Sequence, residues 1–286
     1  MPKTRPTRRQ FLLLASAGAA VLAADSILIE PNRPHTIRQD VFLERWPERL
    51  NGFKIALLSD FHYDPYFSAH PIHSAVDIVN RLNPDLIAFT GDFVSMRFSQ
   101  RQNRLAAHTA EPCAQILQKM KAPLGLWAVL GNHDHFTNNE IVTAALEQQG
   151  ISVLGNRAVA IEHDRARFWI AGVNDVLGGT ADPSEALRGV PSGEPVVLLA
   201  HEPDFADYVA RFPVDLQLSG HSHGGQVRLP LVGPVFLPDL GRKYFQGRYQ
   251  IGKLSLYVNI GLGTVALPVR WNCPPEITLL TIHLKS

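Results

Sequence analysis

Five apolar runs in this chain end in residues that can bind metal ions, and this ordered set is what most constrains the fold. The runs include "FKIALLSDFH", "LGLWAVLGNHDH" and "VDLQLSGHSH". The polar residues that follow the five runs are Asp60 with His62, Asp92, Asn132 with His133 and Asp134, His201, and His221 with His223. Residues just beyond the carboxyl ends of neighbouring strands converge in the crevice where open α/β sheets bind ligands. The sequence therefore predicts strands that deliver these side chains to one site.

Apolar runs alternate with helix-like segments, including a long one over Asn103–Lys121, which predicts an α/β fold with helices covering a sheet. The second half is richer in strand-like runs and indicates a second sheet packed on the first. Residues 51–286 are expected to form one domain, preceded by a Pro-containing linker over residues 25–50. With 286 residues and a net charge of +1, the chain can bury a large core and lacks the basic character of a nucleic-acid-binding protein.

The first 24 residues have the pattern of an export signal. Four basic residues, Lys3, Arg5, Arg8 and Arg9, precede an uninterrupted apolar stretch that ends in small residues near Ala24. The Arg8–Arg9 pair is similar to a twin-arginine signal, which predicts passage through the twin-arginine export machinery to the periplasm or the outer face of the cytoplasmic membrane. The apolar run is shorter than the ~20 residues that a bilayer requires, so no stable transmembrane helix is expected. Export would permit pairing of the only two cysteines, Cys113 and Cys273, but their spacing does not decide it.

The candidate ligands suit two metal ions better than one. Asp60 and His62, and likewise His221 and His223, are two residues apart, so on extended chain each pair points to the same side. Glycines beside them, such as Gly91 and Gly131, permit tight turns. Two carboxylates, four imidazoles and one amide exceed a single four-coordinate site and fit two ions that share a carboxylate. Mixed nitrogen and oxygen ligands without thiolate favour Mn, Fe or Zn over Ca or Mg. Each motif alone also occurs in ordinary turns, so the prediction depends on the whole set.

The ordered set D-x-H, G-D, G-N-H-D, H and G-H-S-H resembles the signature of the calcineurin-like metallophosphoesterase superfamily. The resemblance implies a four-layer α/β/β/α sandwich of two mixed sheets with a dinuclear metal site at the strand ends. It also implies the ligands of each ion. The first ion would be held by Asp60, His62, Asp92 and His223, and the second by the bridging Asp92 with Asn132, His201 and His221.

The same resemblance implies a metal-dependent phosphoesterase. A hydroxide activated by two divalent cations would attack phosphorus. His133 would contact the reacting phosphate or protonate its leaving group, with Asp134 orienting the imidazole. The segments "GHSHGGQVRLP" and "GLGTVALPVRWNCPPEI" resemble a bacterial branch of exported or membrane-associated phosphodiesterases related to UDP-2,3-diacylglucosamine pyrophosphatases. That branch implies a phosphodiester or pyrophosphate bond in a lipid or polymer of the cell envelope, with peripheral membrane contact.

Two arginines are candidates for substrate contact. Arg270 follows Pro268 near an expected strand end, and Arg242 lies in the aromatic and basic segment "FLPDLGRKYFQGRYQIG". Either guanidinium could neutralise a phosphate oxygen. Other readings remain open: a phosphomonoesterase of the same fold, a metal-dependent hydrolase of a non-phosphate bond, and a non-catalytic envelope-binding protein whose metals are structural.

Overall fold

A computed structural model describes residues 7–285. Residues 1–6, with the predicted signal residues Lys3 and Arg5, and residue 286 lie outside the described part. The helices are α1 Arg8–Ala24, α2 Ala69–Leu82, α3 Gln100–Ala107, α4 Ala110–Leu117, α5 Asn132–Gln148, α6 Pro183–Ala186 and α7 Ala206–Val209. The strands are β1 His35–Leu43, β2 Phe53–Leu58, β3 Leu86–Phe89, β4 Leu126–Ala128, β5 Ile151–Val153, β6 Arg157–His163, β7 Ala166–Gly172, β8 Val196–Leu199, β9 Leu216–Ser219, β10 Arg228–Leu229, β11 Gly233–Pro234, β12 Gly247–Ile251, β13 Leu254–Val258 and β14 Glu276–Leu284.

The strands form two six-stranded sheets and one short hairpin. The first sheet has the order β1-β14-β2-β3-β4-β5, and the second has the order β12-β13-β9-β8-β7-β6. β2, β3, β4 and β5 run parallel, as do β7, β8, β9 and β13, whereas β14, β12 and β6 pair antiparallel with a neighbour. Both sheets are therefore mixed, as predicted.

Alternation along the strands builds four layers. Ala56 and Leu58 of β2 pack under α2, α4 and α5, while Ile55 and Leu57 face the second sheet. The central strand β8 does the same, with its alternate side chains divided between the inter-sheet core and the core beneath α6 and α7. Successive side chains of a strand point to opposite faces, so an uninterrupted apolar strand needs cover on both sides. The fold is the predicted α/β/β/α sandwich.

Two elements differ from the sequence prediction. Residues 35–43, assigned to the linker, form β1, which pairs in parallel with β14 at the edge of the first sheet. Most side chains of β1 are exposed, so it lacks the apolar pattern that would reveal a strand. The expected long helix over Asn103–Lys121 is two helices, α3 and α4, because the chain turns at Thr109, whose hydroxyl donates to the carbonyl of Ala106 at 2.6 Å.

The N-terminal apolar segment is longer than expected. Helical structure continues past Ala24 through a π-turn at Asp25–Ile29 and a 3₁₀ turn at Glu30–Asn32. The resulting segment, Arg8–Asn32, has 25 residues and is long and apolar enough to cross a membrane. The expectation of a run too short for a bilayer was wrong, because it counted only the residues up to Ala24.

Candidate metal centre

The predicted ligands follow the carboxyl ends of strands in both sheets, but left-handed turns aim them. Asp60, His62, Asp92, His221 and His223 have φ values of 51°, 41°, 57°, 69° and 49°. Non-glycine residues rarely adopt this region, and such strain concentrates at functional sites. The expectation that each i, i+2 pair points to one side on extended chain was therefore wrong in its geometry. The pairs do converge, through turns that leave the strand.

Close backbone packing joins the two sheet edges. A side chain at Gly220 would collide with Asp60, since a Cβ there would lie 2.5 Å from Oδ2 of Asp60. The Asp60 carboxylate accepts the backbone N–H of His221 at 3.0 Å. Gly91, with φ of 96°, approaches the backbone of Gly131 equally closely, with a hypothetical Cβ 2.5 Å from its nitrogen. Glycine is the residue that fits such contacts.

The first ligand group consists of Asp60, His62 and His223. Nε2 of His62 lies 3.0 Å from Nε2 of His223, and the latter lies 3.4 Å from Oδ1 of Asp60. All three side chains are buried. Two imidazole nitrogens and a carboxylate oxygen that face one another at this distance leave room for a cation between them.

The second group consists of Asp92, His201 and His221. Nδ1 of His221 lies 3.2 Å from Nε2 of His201, which in turn lies 3.3 Å from Oδ2 of Asp92. The same Oδ2 atom lies 3.4 Å from Nε2 of His62 in the first group. Asp92 therefore stands between the two groups, where a carboxylate shared by two ions belongs.

An unpaired amide oxygen and the protonation states of two imidazoles fit divalent cations. Oδ1 of Asn132 is buried without a hydrogen-bond partner, and such atoms are rare unless a ligand completes them. Burial lowers the pKa of His62 to about 3 and that of His221 to about 4, so both rings are neutral, as metal binding requires. The donor set therefore fits the divalent metals that the predicted class of enzyme binds.

Charge is concentrated on Asp92. Burial opposes ionisation of its carboxyl, but the imidazoles of His201 and His133 outweigh burial and hold its pKa well below the usual range. Conversely, burial would lower the pKa of His201, yet the Asp92 carboxylate raises it. Both pKa shifts reflect the attraction between this carboxylate and a positive charge beside it, which a bound metal ion would also supply.

Backbone carbonyls orient two of the imidazoles. Nδ1 of His201 lies 2.6 Å from the carbonyl oxygen of Thr90, which leaves Nε2 for a metal. Nε2 of His221 lies 2.8 Å from the carbonyl oxygen of Asp239, which leaves Nδ1. Such partners set the tautomer and direction of a metal-binding histidine. Sequence reasoning missed them, because a carbonyl group is present in every residue and leaves no signal.

His133 lies beside the ligands with its own tautomer defined. Its Nδ1 accepts the backbone N–H of Met96 at 2.9 Å, so in the neutral ring the proton is on Nε2. The ring packs edge-on against His62, with centroids 4.7 Å apart, and is only partly buried. This tautomer offers Nε2–H to the cleft as a hydrogen-bond donor.

The prediction that Asp134 orients the imidazole of His133 was wrong. Its carboxylate instead accepts four backbone N–H groups, from Gly131 and from the three consecutive residues Asp92, Phe93 and Val94 at 2.8–3.1 Å. Successive residues of a helix point about 100° apart, so Asp134 faces inward while His133 faces the cleft. Asp134 shapes the turn that carries Asp92.

The expectation that Arg270 faces the substrate was also wrong. Its side chain is fully buried, and its guanidinium donates to the carbonyls of Ile260, Gly261, Gly263 and Cys273 at 2.7–3.1 Å. It stabilises the loop beside Asp60, where Gly263 donates its N–H to the carbonyl of Asp60 at 2.7 Å. Arg270 satisfies backbone oxygens and has no face toward the cleft.

Arg242 and the cysteines complete the predicted residues. Arg242 is exposed on the loop that carries Asp239, and its guanidinium pairs with the Asp239 carboxylate at 2.7 Å. A role in substrate binding stays a prediction. Within the described residues 7–285, Cys113 and Cys273 are separate buried thiols, so the pairing that the sequence left open does not occur.

A cavity of about 380 Å³ opens beside the ligands. Asp92, Asn132, His133, His221 and His223 form its floor. Its walls are almost entirely apolar and include Val227, Val235, Phe236, Pro238, Val265 and Leu267. Gln226 joins two walls, since its carboxamide bonds to the backbone of Val265 and Leu267 at 2.8–3.1 Å. A larger cavity, of about 610 Å³, lies away from these ligands and contains none of them.

The four-layer sandwich and the two adjoining His and Asp groups fit a metal-dependent hydrolase, and the family and relatives of the chain make it a metal-dependent phosphoric ester hydrolase. The chain belongs to the calcineurin-like phosphoesterase family, which matches residues 53–225. It is 34% identical to the uncharacterised metallophosphoesterase YkuE of Bacillus subtilis (96% of this chain, 97% of the relative) and 32% identical to the phosphodiesterase YaeI of Escherichia coli (96% and 99%). It is also 27% identical to the UDP-2,3-diacylglucosamine pyrophosphatase LpxG of Chlamydia muridarum (88% and 90%).

Proposed function

We propose that this enzyme hydrolyses phosphodiester or pyrophosphate bonds of a cell-envelope substrate that carries an apolar group. The observation that carries the proposal is the composition of the cavity. Its described lining contains no Lys or Arg side chain, and its titratable side chains are Asp92 and the histidines at its floor. A phosphomonoester dianion would need more positive charge, whereas a singly charged diester with an apolar substituent matches a metal floor and apolar walls.

The residues divide the chemical work. Asp60, His62, Asp92 and His223 would hold one divalent ion, and Asp92, Asn132, His201 and His221 the other, with Mn, Fe or Zn suited to these donors. When bound, two such ions supply a water of lowered pKa and neutralise phosphate oxygens. His133 would act as the acid in its imidazolium form, giving the Nε2 proton to the departing oxygen and returning to the neutral ring; in the neutral ring that accepts the backbone N–H of Met96, Nε2–H can donate a hydrogen bond into the cleft.

Export and an envelope location are part of the same proposal. The Arg8–Arg9 pair stands at the start of an apolar helix whose residues are not buried against the domain, as a signal or anchor would require. Envelope phosphodiesters that carry acyl chains would suit both the apolar walls and this location. The name of the chlamydial relative, a pyrophosphatase of a diacylated sugar nucleotide, supports a substrate of this chemistry.

One experiment tests the reaction class. Protein with its metal content measured is given a nitrophenyl phosphodiester and the corresponding monoester, and we expect the diester to be hydrolysed faster. Asp92→Asn should lose bound metal and activity together, whereas Asp77→Asn, an exposed control on α2, should keep both. Full turnover in Asp92→Asn would contradict the site, and a preference for the monoester would contradict the proposed substrate class.

A further inference from the structure

An uncharged apolar surface borders the opening of the metal cavity. We name it the apolar rim; its residues are Leu229, Leu231, Val232, Val235, Phe236 and Leu267, with exposed fractions between 40% and 109%. The two segments that carry it, 229–238 and 263–269, contain no Asp, Glu, Lys or Arg. They are hydrogen-bonded neighbours, because Arg228 donates its N–H to the carbonyl of Trp271 and Gln226 binds Val265 and Leu267. Exposed apolar patches of this kind mark interaction surfaces.

The tip of the rim combines exposure with backbone strain. The hairpin β10–β11 places Leu231 at its turn, fully exposed and with φ of 67°. Glycine or asparagine would relieve the strain and suit water better than leucine does. An exposed leucine at such a position gains nothing from the rest of the fold. A contact outside the chain would bury this side chain.

The N-terminal helical segment ends beside this rim. The backbone N–H of Arg270 donates to the carbonyl of Ser26 at 2.9 Å, and the Glu30 carboxylate accepts the N–H groups of Asn272 and Cys273. The strand order requires this placement. β1 runs parallel to β14, and β14 runs antiparallel to β2. The first residue of β1 therefore lies at the end of the sheet where β2 finishes and where the metal ligands lie.

We propose that the apolar rim docks on the surface of a lipid bilayer, with segment Arg8–Asn32 as the membrane anchor and the cavity opening toward the lipid. The segment has the length and composition to cross a bilayer, and its end is hydrogen-bonded to the loop that continues from Leu267. A segment of this length and composition would bring a bilayer to this face of the domain. An uncharged surface around a cavity suits the acyl boundary of a membrane better than water.

Docking defines how a substrate would reach the metal ligands. On the basis of the proposed function, a lipid phosphodiester would enter from the plane of the membrane, with its acyl part along Val235, Phe236 and Leu267 and its phosphate at Asp92 and His133. Gln226 connects this path to the ligands, since it binds the wall at Val265 and donates its backbone N–H to the carbonyl of His223 at 2.9 Å.

Fluorescence quenching tests the docking in the full-length chain. Val232→Cys at the rim and Phe42→Cys as the control are each labelled with a thiol-reactive fluorophore and reconstituted in vesicles of phosphatidylethanolamine and phosphatidylglycerol. Phe42 is an exposed apolar residue at the end of β1 remote from the site, roughly 25 Å along the strand at about 3.3 Å per residue. Unsubstituted protein measures labelling of the two buried native cysteines.

We expect nitroxide-bearing lipid to quench the label at residue 232 at least about threefold more than the label at residue 42, because interfacial groups lie about 5–10 Å into the headgroup boundary. Aqueous iodide should quench the label at residue 42 more strongly. Equal iodide quenching at both positions would show a rim in water and would overturn the proposal. Protection of residue 232 from both quenchers would show a protein partner or a second copy, and would overturn it too.

A second measurement separates docking from catalysis. Leu231→Ser with Val232→Ser changes the tip of the rim, which does not line the cavity, so hydrolysis of the soluble nitrophenyl diester should stay within about twofold of the unsubstituted protein. A larger loss would place the tip in the active site and contradict its role as a docking surface. Absence of diester hydrolysis in metal-loaded, unsubstituted protein would contradict the proposed function, while the quenching result would still decide the docking.

Discussion

Single residues at this site carry strain that the rest of the fold must hold. Five of the seven predicted ligands adopt left-handed φ values, at an order of 1–3 kcal/mol each. The backbone N–H groups bound by Asp134 and the carbonyls bound by Arg270 stabilise the loops concerned. Arg270 was predicted to contact the substrate and Asp134 to orient His133. Both instead hold the loops that keep the metal ligands in strained conformations.

His133 is expected to act on the leaving group and not on the metals. His133→Ala should keep its metal content and lose about 10²–10⁴-fold in turnover, the usual contribution of a general acid. The loss should be smallest for esters with good leaving groups, because these need little protonation. The measurement is kcat across a series of leaving groups together with metal analysis.

His73→Ala, at an exposed position on α2, serves as the control for His133 and should leave turnover unchanged. If His133→Ala slows good and poor leaving groups equally, the acid role is wrong.

Asp134→Ala should lower the stability of the fold and its metal affinity, with a smaller direct effect on His133. Four backbone N–H groups would lose their acceptor, and each buried unsatisfied group costs about 1–3 kcal/mol, so we expect a loss of stability of about 3 kcal/mol or more. Metal affinity should fall as well, because Asp92 lies on the affected turn. Thermal unfolding and metal titration measure these effects. If Tm and metal affinity are unchanged and only turnover falls, Asp134 acts by orienting His133, as the sequence predicted, and this expectation is wrong.

Among the elements, β13 and β14 share a buried polar network next to the loop that Arg270 holds. Oε1 of Glu276 accepts hydrogen bonds from the Tyr257 hydroxyl at 3.0 Å and the Thr278 hydroxyl at 2.6 Å. The Nδ2 amide of Asn259 donates to the Thr278 hydroxyl at 2.9 Å and lies 3.4 Å from Oε1 of Glu276. A single carboxyl group therefore joins two strands that belong to different sheets.

Glu276 should give stability a defined pH dependence. Burial raises the pKa of its carboxyl above the usual 4.5. The folded state therefore binds a proton more tightly than the unfolded state, and its contribution to stability decreases as pH rises from about 4.5 through the raised value. Glu276→Gln remains neutral, so its Tm relative to the unsubstituted protein should increase across that window. Parallel Tm profiles for the two proteins over the same pH range would contradict this reading.

At the scale of the whole molecule, the candidate metal centre joins the two sheets. Asp60, His62, Asp92 and Asn132 follow strands of the first sheet, and His201, His221 and His223 follow strands of the second. Ions bound across this boundary would stabilise the packing of one sheet on the other as well as the site.

Removing the metals should therefore lower the stability of the whole domain. A ligand at 100 times its Kd contributes about 2.7 kcal/mol, which at about 2–4 °C per kcal/mol corresponds to a Tm lower by roughly 5–10 °C after chelation. Differential scanning calorimetry with and without chelator, followed by re-addition of Mn²⁺ or Zn²⁺, measures the change. Asp92→Asn should show almost no shift. The same large shift in Asp92→Asn would mean that the stabilising ion binds elsewhere.

Much of the fold and the ligand set could be predicted from sequence because both depend on residue type at regular positions. Apolar runs covered on both faces predicted strands of a layered α/β fold, and the polar residues that follow them predicted the metal ligands. The exposed strand β1 has neither signal, and it pairs with β14, more than two hundred residues later in the chain. The hydrogen bonds that orient His201 and His221 are made to the backbone carbonyls of Thr90 and Asp239. Every residue has such a carbonyl, so these partners leave no signal in the sequence.

The sequence by itself determined the kinds of groups available at the strand ends: carboxylates, imidazoles and an amide, in an order typical of one family. Only the tertiary structure decided the direction of each side chain. Asp134 turned toward backbone N–H groups and Arg270 toward backbone carbonyls, because buried polar groups must be paired and their partners come from distant loops. The tertiary structure also decided that the N-terminal helix and the apolar rim lie at the same end of the first sheet. Their placement depends on the directions in which β1, β14 and β2 run in the assembled sheet.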